Sequence, residues 1–415
     1  MPFAKNIIKL VGFTFMLLAI LCNPFVIIRQ PPSFVKFDNL IYVKAFIVFA
    51  ELFLLSLGII WFFKPERVIS KIKYLNPIFL YRDKKKELTL LLFSCIVSLI
   101  ILELFSRMLF ANANRLPFMY SAEEMIYPAL YNIRQNYTDK GVNILLLGGS
   151  VLFENAKFFK EMGRRHSINF YNAAYIAHTT LDSLYKYKYL TKNKLKFDYV
   201  IFYHGINDVR LNNIPSEFFQ DDYSHYYYYK LINKIFKYNE PKSDLFLNST
   251  MGYNFYNLFC RFYSLTRFRK MEFMPYDIPV PELTRYGDDI KSAKSFRKNL
   301  NKIIRMSKTN NAVLIVPYFA FRQAPDNAEM TNIWGNPKNV IKGIIRHNEI
   351  ISEMQDCFVT INTEEISVNR RIFTDICHLT IQGQKKFGEL IIKKLLFQRS
   401  SLSGKNASNS QTKRQ

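Results

Sequence analysis

The chain has 415 residues, and its 57 Lys and Arg against 33 Asp and Glu give a formal net charge of +24. A mean hydropathy close to zero conceals a division: the long apolar runs fall before residue 111, and the rest reads as a globular sequence, which excludes a uniformly soluble or uniformly membrane-embedded chain. The positive excess suits anionic surfaces, but no helix-turn-helix or ribonucleoprotein-type motif accompanies it, so a solvated basic surface is the plainer meaning.

Residues 8–28, 40–63 and 88–110 are each long enough to cross a hydrocarbon core, which takes about 20 apolar residues. The first exceeds a signal-peptide core, is interrupted by Asn23-Pro24 and lacks a small-residue cleavage site, so it reads as a retained helix. Between the second and third stretches lie Lys64, Arg67, Lys71, Lys73, Arg82, Lys84, Lys85 and Lys86, which predicts a cytoplasmic loop. An N-in topology with three spans then places everything after Phe110 outside, in the periplasm or beyond a bacterial inner membrane, and removes nucleic acid as a partner. Glu51 and Glu103 fall within spans, where an ionisable group is a functional hypothesis. The plainer reading pairs Glu51 with Lys44 and lets Glu103 reach the interface.

Residues 1–110 thus form a membrane anchor, and 111–140 a connector with a short helix that ends at the turn Asp139-Lys140-Gly141. The domain proper spans 141–398. Apolar strand patterns at 143–147, 168–171, 198–203, 312–316 and 357–361 alternate with helical patterns at 181–190, 290–307, 340–354 and 381–396. Such alternation predicts a parallel α/β sheet, and Asp288-Asp289 suits the cap of the second helix. Residues 212–285 break the rhythm and are rich in aromatics, including Tyr226-Tyr227-Tyr228-Tyr229. They read as an insertion over the strand C-termini that stacks on sugar rings, rests on the membrane interface or fills a small core of its own. The composition of 399–415 predicts a disordered tail.

Of the five cysteines, Cys22 and Cys95 lie within spans. Cys260, Cys357 and Cys377 show no CxxC or Cys/His metal spacing, so no zinc site is indicated and at most one bridge forms.

Acyl transfer needs a nucleophile, a base, a group that orients the base, and donors for the oxyanion. Ser150 follows a buried strand and Gly148-Gly149, at the start of a helix whose dipole favours developing negative charge. Asn207 follows the third strand in Gly205-Ile206-Asn207-Asp208, as an oxyanion donor or as part of an Asn-Asp turn. Asp375 precedes His378 by three residues, a spacing that lets one turn bring the carboxylate to the ring nitrogen facing away from substrate. His166, His225 and His347 read as surface residues, whereas His178 and His204 stay undecided, with His204 able to line the site.

In this order the blocks resemble the SGNH/GDSL hydrolase superfamily: Gly148-Gly149-Ser150, Asn172-Ala173-Ala174, Gly205-Ile206-Asn207-Asp208, and Asp375-Ile376-Cys377-His378-Leu379-Thr380. The resemblance implies a flavodoxin-like three-layer α/β/α sheet and a catalytic triad of Ser150, His378 and Asp375. It further implies an oxyanion hole from the Ser150 and Ala174 N–H groups and the Asn207 side chain, with no metal or organic cofactor. Ala174 stands where the family normally has glycine, and its backbone donor survives provided that φ is negative. The expected substrate is an acylated envelope glycan or lipid. The alternatives are an O-acyltransferase sharing the acyl-enzyme, which would need a membrane partner protein, and a non-enzymatic glycan-binding or assembly subunit.

Overall fold

The computed structural model describes residues 120–212, 219–236, 293–323 and 337–412, with scattered positions before 120. The chain separates into two units, Met1–Met119 and Tyr120–Gln415. The three expected spans lie almost wholly outside the described residues. Among those described, no helix is long and apolar enough to cross a membrane. Of the two acidic residues in spans, Glu51 lies outside the described set, and Glu103 pairs with Arg107 one turn away at 2.8 Å.

The second unit opens with helices α1 (Ala122–Ile126) and α2 (Pro128–Asn136). Ser121 and Glu124 cap α1 reciprocally, Pro128 supplies the fixed φ that suits a first helical turn, and Tyr127, Leu130 and Ile133 are buried. Most of the expected connector is therefore packed structure, in two helices rather than one. There follow β1 (Val142–Gly148), α3 (Ser150–His166), β2 (Ile168–Asn172), α4 (Thr180–Lys192), β3 (Tyr199–Tyr203), α5 (Ile206–Asn212) and α6 (Tyr227–Phe236). The chain continues with α7 (Lys294–Thr309), β4 (Val313–Pro317), α8 (Pro337–Glu353), β5 (Val359–Ile361), α9 (Glu364–Ser367) and α10 (Ile381–Thr412).

All five strands are parallel, in the order β2-β1-β3-β4-β5. The central β1 and β3 are buried along nearly their whole length, which is why they read as unbroken apolar runs. After β2 the chain returns to the other side of β1 to form β3. Right-handed crossovers on either side of such a reversal send successive helices to opposite faces. Accordingly α3 packs with α10, and α4 with α7. On α3 the buried residues Val151, Leu152, Asn155, Phe159 and Gly163 form a stripe at helical spacing. The sheet order is the doubly wound flavodoxin-like one, and its reversal opens a crevice at the C-terminal ends of β1 and β3.

Three expectations change. His347 is buried, not at the surface: its ring stacks on Phe296 with centroids 4.2 Å apart, and burial lowers its pKa to about 3. Helix α10 continues in helical backbone to Thr412 across most of the expected tail, since each added residue of an established helix gains a hydrogen bond. Helix α7 begins at Lys294 without a side-chain cap, and the Asp288-Asp289 cap falls outside the described residues. In the described part of the insertion, Tyr223, Tyr226 and Tyr229 are buried, so these aromatics fill a core. Cys357 and Cys377 are free thiols, one exposed and one buried; Cys260 is outside the described set.

Candidate active site

β1 ends at Gly148 directly beside Tyr203, the last residue of β3. The next residues on the two strands, Gly149-Ser150 and His204-Gly205-Ile206-Asn207, therefore enter the crevice side by side. Both glycines provide room. Neither adopts positive φ, but a Cβ on Gly149 would lie 2.6 Å from Asn207 Nδ2, and one on Gly205 would run into the Phe319 ring. Gly148 is equally tight, since a Cβ there would lie 2.8 Å from both Leu152 and the Tyr203 carbonyl. Close approach, and not an unusual backbone, is what requires glycine at these positions.

Ser150 is the first residue of α3, and its N-cap Gly149 offers no side chain to the helix terminus. The first-turn N–H groups, that of Ser150 among them, have no partner within the helix. Ser150 Oγ lies 2.7 Å from His378 Nε2. On the other side of the ring, Nδ1 lies 2.6 Å from Asp375 Oδ2. Ser150, 228 positions from His378, thus forms one continuous row with it and Asp375.

The loop that presents His378 is built locally. Asp375 Oδ1 accepts the backbone N–H groups of Cys377 at 2.8 Å and His378 at 2.7 Å, an Asx-type turn. Phe373 and Leu379 pair across its base, the Thr374 N–H donates to the His378 carbonyl at 2.8 Å, and Ile376, Cys377 and Leu379 anchor it in the core. One carboxylate therefore shapes the turn with one oxygen and orients the imidazole with the other.

The electrostatics follow from this geometry. Burial of His378 disfavours its charged form, but the hydrogen bond and charge of Asp375, with Glu154 further off, prevail and raise its pKa above the ordinary imidazole value. Burial would raise Asp375; the donors from His378 and Cys377 and the imidazole charge outweigh it and hold the carboxyl below its usual range. Asp375, Cys377 and His378 also bring three metal-ligand atoms within 4.8 Å of one another. The carboxylate is already occupied by the ring and two N–H groups, and burial with the Asp375 charge pushes the Cys377 thiol far up. The set suits an oriented imidazole, not an ion.

The candidate oxyanion donors differ in readiness. Asn207 spends one of its two N–H groups on the His178 carbonyl at 2.9 Å, and its nitrogen lies over Gly149. Ala174 has no positive φ, so the alanine costs no backbone donor, but its N–H is held by Asn172 Oδ1 at 2.9 Å. Positive φ occurs instead at Ala177, at 62°. His204 lines the crevice beside Ser150 with Tyr203, Asn207 and Phe319, yet its Nε2 is engaged with Ser183 Oγ at 2.7 Å.

Sequence reading missed the buried polar layer behind this loop. Asp182 receives Tyr127 and Tyr229 hydroxyls, each at 2.7 Å, while also capping α4 with Thr179. Asp208 accepts Thr180 Oγ1 at 2.5 Å and Tyr223 at 2.7 Å, with burial raising its pKa to about 7. The only sequence signal was the Thr179-Thr180-Leu181-Asp182 capping pattern.

No family model matches the sequence, and no curated protein does. Solved structures do match. Its structural neighbours are GDSL-like lipases and acylhydrolases. One is a GDSL-like lipase from Bacteroides thetaiotaomicron, at 11% identity over 64% of this chain and 96% of that one, with a TM-score of 0.37. Another is the lipase/acylhydrolase from Enterococcus faecalis, at 15% identity over 61% and 95%, with a TM-score of 0.32. A third is an acetyl xylan esterase, at 11% identity over 61% and 99%, with a TM-score of 0.34. At such identities and scores the likeness says nothing of chemistry, which rests on the residues of the site.

Proposed function

We infer that the chain is a membrane-anchored serine ester hydrolase that removes O-acyl groups from an envelope glycan or lipid on the extracytoplasmic side. The observation that carries this reading is the row from Ser150 Oγ through His378 to Asp375, with its two contacts of 2.7 and 2.6 Å, at the crevice where the sheet order reverses. The anchor rests on the three apolar stretches and the basic loop between the second and third. Ile59, Ile60, Phe63, Ile100 and Leu104, among the described apolar residues of those spans, have exposed side chains, as lipid-facing positions would, while Trp61 and Phe62 are half-buried.

In the proposed cycle Ser150 Oγ attacks the acyl carbonyl carbon while His378 Nε2 takes its proton, and Asp375 stabilises the imidazolium. The Ser150 N–H and the second N–H of Asn207 receive the oxyanion, joined by Ala174 as Asn172 Oδ1 yields. Collapse breaks the ester C–O bond, and the departing alcohol takes the proton from His378. Water, deprotonated by the same imidazole, then attacks the acyl-enzyme, and the carboxylic acid leaves as Ser150 regains its proton.

The test is fluorophosphonate labelling of the full-length chain in detergent micelles. One adduct on Ser150 is expected, absent in Ser150→Ala. A folded wild-type protein that stays unlabelled overturns the reading.

A further inference from the structure

The loop after β2 rests on a buried lysine, whose pKa burial lowers to about 7. Lys186 of α4 is 1% exposed, and among the described residues no carboxylate lies within ion-pair distance of it. Its ammonium instead donates to the Ala173 carbonyl at 2.5 Å and to His178 Nδ1, and it lies over the Tyr127 ring, 5.0 Å from the centroid. Burying an amine is costly where a methionine of similar length would fill the space. Both of its hydrogen-bonding partners belong to the loop that enters the crevice.

The first partner is informative because of peptide geometry. The Ala173 carbonyl and the Ala174 N–H belong to one planar trans unit and point in opposite directions. A hydrogen bond donated to the oxygen fixes the plane and draws electron density from the nitrogen, so the N–H on the far side becomes a better donor. The second partner leads to the other arm of the site, because the carbonyl of His178 accepts from Asn207 Nδ2 at 2.9 Å. The His178 ring is also braced edge-on by Tyr127, with centroids 5.4 Å apart.

We propose that Lys186 is a positioning residue of the acyl-transfer site, which orients and polarises the Ala173–Ala174 peptide as an oxyanion donor and steadies, through His178, the carbonyl that anchors Asn207. The inference rests on Ser150 being the nucleophile. It also accounts for a tolerated alanine where a glycine is usual: Lys186 holds the peptide from behind, so backbone freedom at position 174 is not required.

The test compares wild type and Lys186→Met, both full-length in micelles, with p-nitrophenyl acetate turnover and the rate of fluorophosphonate labelling, each normalised to folded protein by thermal melting. The expected result is a fall in kcat of roughly ten- to a hundredfold, short of or equal to the loss of a whole oxyanion donor, with KM within about twofold and labelling slowed in parallel. A filler role would leave kcat per folded molecule unchanged, and that result overturns the proposal. Should Lys186→Met not fold, His178→Phe keeps an aromatic ring in place and removes both ring nitrogens, the Nδ1 acceptor among them; a severalfold fall in kcat is expected, and wild-type kcat overturns the proposal. An unlabelled wild type removes the Ser150 reading and this inference together, whereas a labelled wild type with fully active Lys186→Met removes this inference alone.

Discussion

Among the described residues two Ser-His-Asp arrangements occur, and in only one of them does the carboxylate contact the imidazole. In the crevice, Ser150, His378 and Asp375 are linked by contacts of 2.7 and 2.6 Å, and the His378 and Asp375 side chains keep 16% and 30% of their exposure. Behind it, Ser183 Oγ lies 2.7 Å from His204 Nε2, but His204 Nδ1 stands 3.8 Å from Asp208 Oδ2, beyond hydrogen-bond reach. All three members are buried. The carboxylate of Asp208 is already taken by Thr180 and Tyr223, and burial lowers the His204 pKa to about 3. An imidazole that resists protonation so strongly cannot serve as a base near neutral pH. The same three residue types therefore make a partly exposed, carboxylate-oriented row in one place and a packed polar core in the other. What separates them is an orienting carboxylate in contact and access to substrate.

The largest expected effect breaks the comparison directly. His378→Ala should lower kcat for p-nitrophenyl acetate by about 10⁴-fold or more while leaving the melting temperature nearly unchanged. Ser183→Ala should leave kcat within about threefold and destabilise the fold by roughly 1–2 kcal/mol, because it strips a buried imidazole of its hydrogen bond. Equal loss of activity in both, measured by steady-state kinetics, would contradict the distinction.

An intermediate effect concerns pH. His378 must be neutral to accept the serine proton, and its folded pKa is raised above 6.5, so kcat/KM should climb with pH through a midpoint above that value. Glu154→Gln removes one of the charges that raise it, and the midpoint should move down by a few tenths of a unit. A midpoint at or below 6.5 in the wild type would contradict the electrostatic account. The same groups affect stability with opposite sense. The His378 contribution is complete below about 6.5 and fades as pH rises through its higher folded value, whereas that of Asp375 holds above about 3.9 and fades as pH falls through its lower one.

The smallest effect lies in the loop between the two arrangements. Ala177 sits in the left-handed region at φ 62°, which costs an L-residue roughly 1–2 kcal/mol, partly offset in glycine by a larger loss of chain entropy. Ala177→Gly should stabilise the protein by about 0.5–1 kcal/mol in thermal melts, without loss of kcat. A drop in melting temperature would show that the backbone at this position is not strained.

Much of the fold is legible along the chain because parallel strands buried on both faces demand continuous apolar runs. β1, β2, β3 and β4 fall within a residue or two of their apolar patterns. α5 reads only as a turn after Gly205, since seven residues from Ile206 to Asn212 are too few for a helical period to stand out. The surface assignment of His347 fails for a related reason: a polar residue on a helix face says nothing about which neighbour covers it, and here Phe296 does. Lys186 is invisible as a functional residue along the chain, because a lysine in an amphipathic helix ordinarily faces solvent.

The pairing of Asp375 with His378 is local, because a carboxylate three residues before an imidazole can close its own turn through hydrogen bonds to nearby N–H groups. Local pattern also places Ser150 and Asn207 each after a buried strand. Long-range packing brings Ser150 to His378 across 228 positions, makes Ser183 and His204 a closed counterpart, and lays Lys186 beneath the loop of Ala174. Those facts depend on sheet order and on which groups burial strips of water, and neither is written in any local stretch of chain.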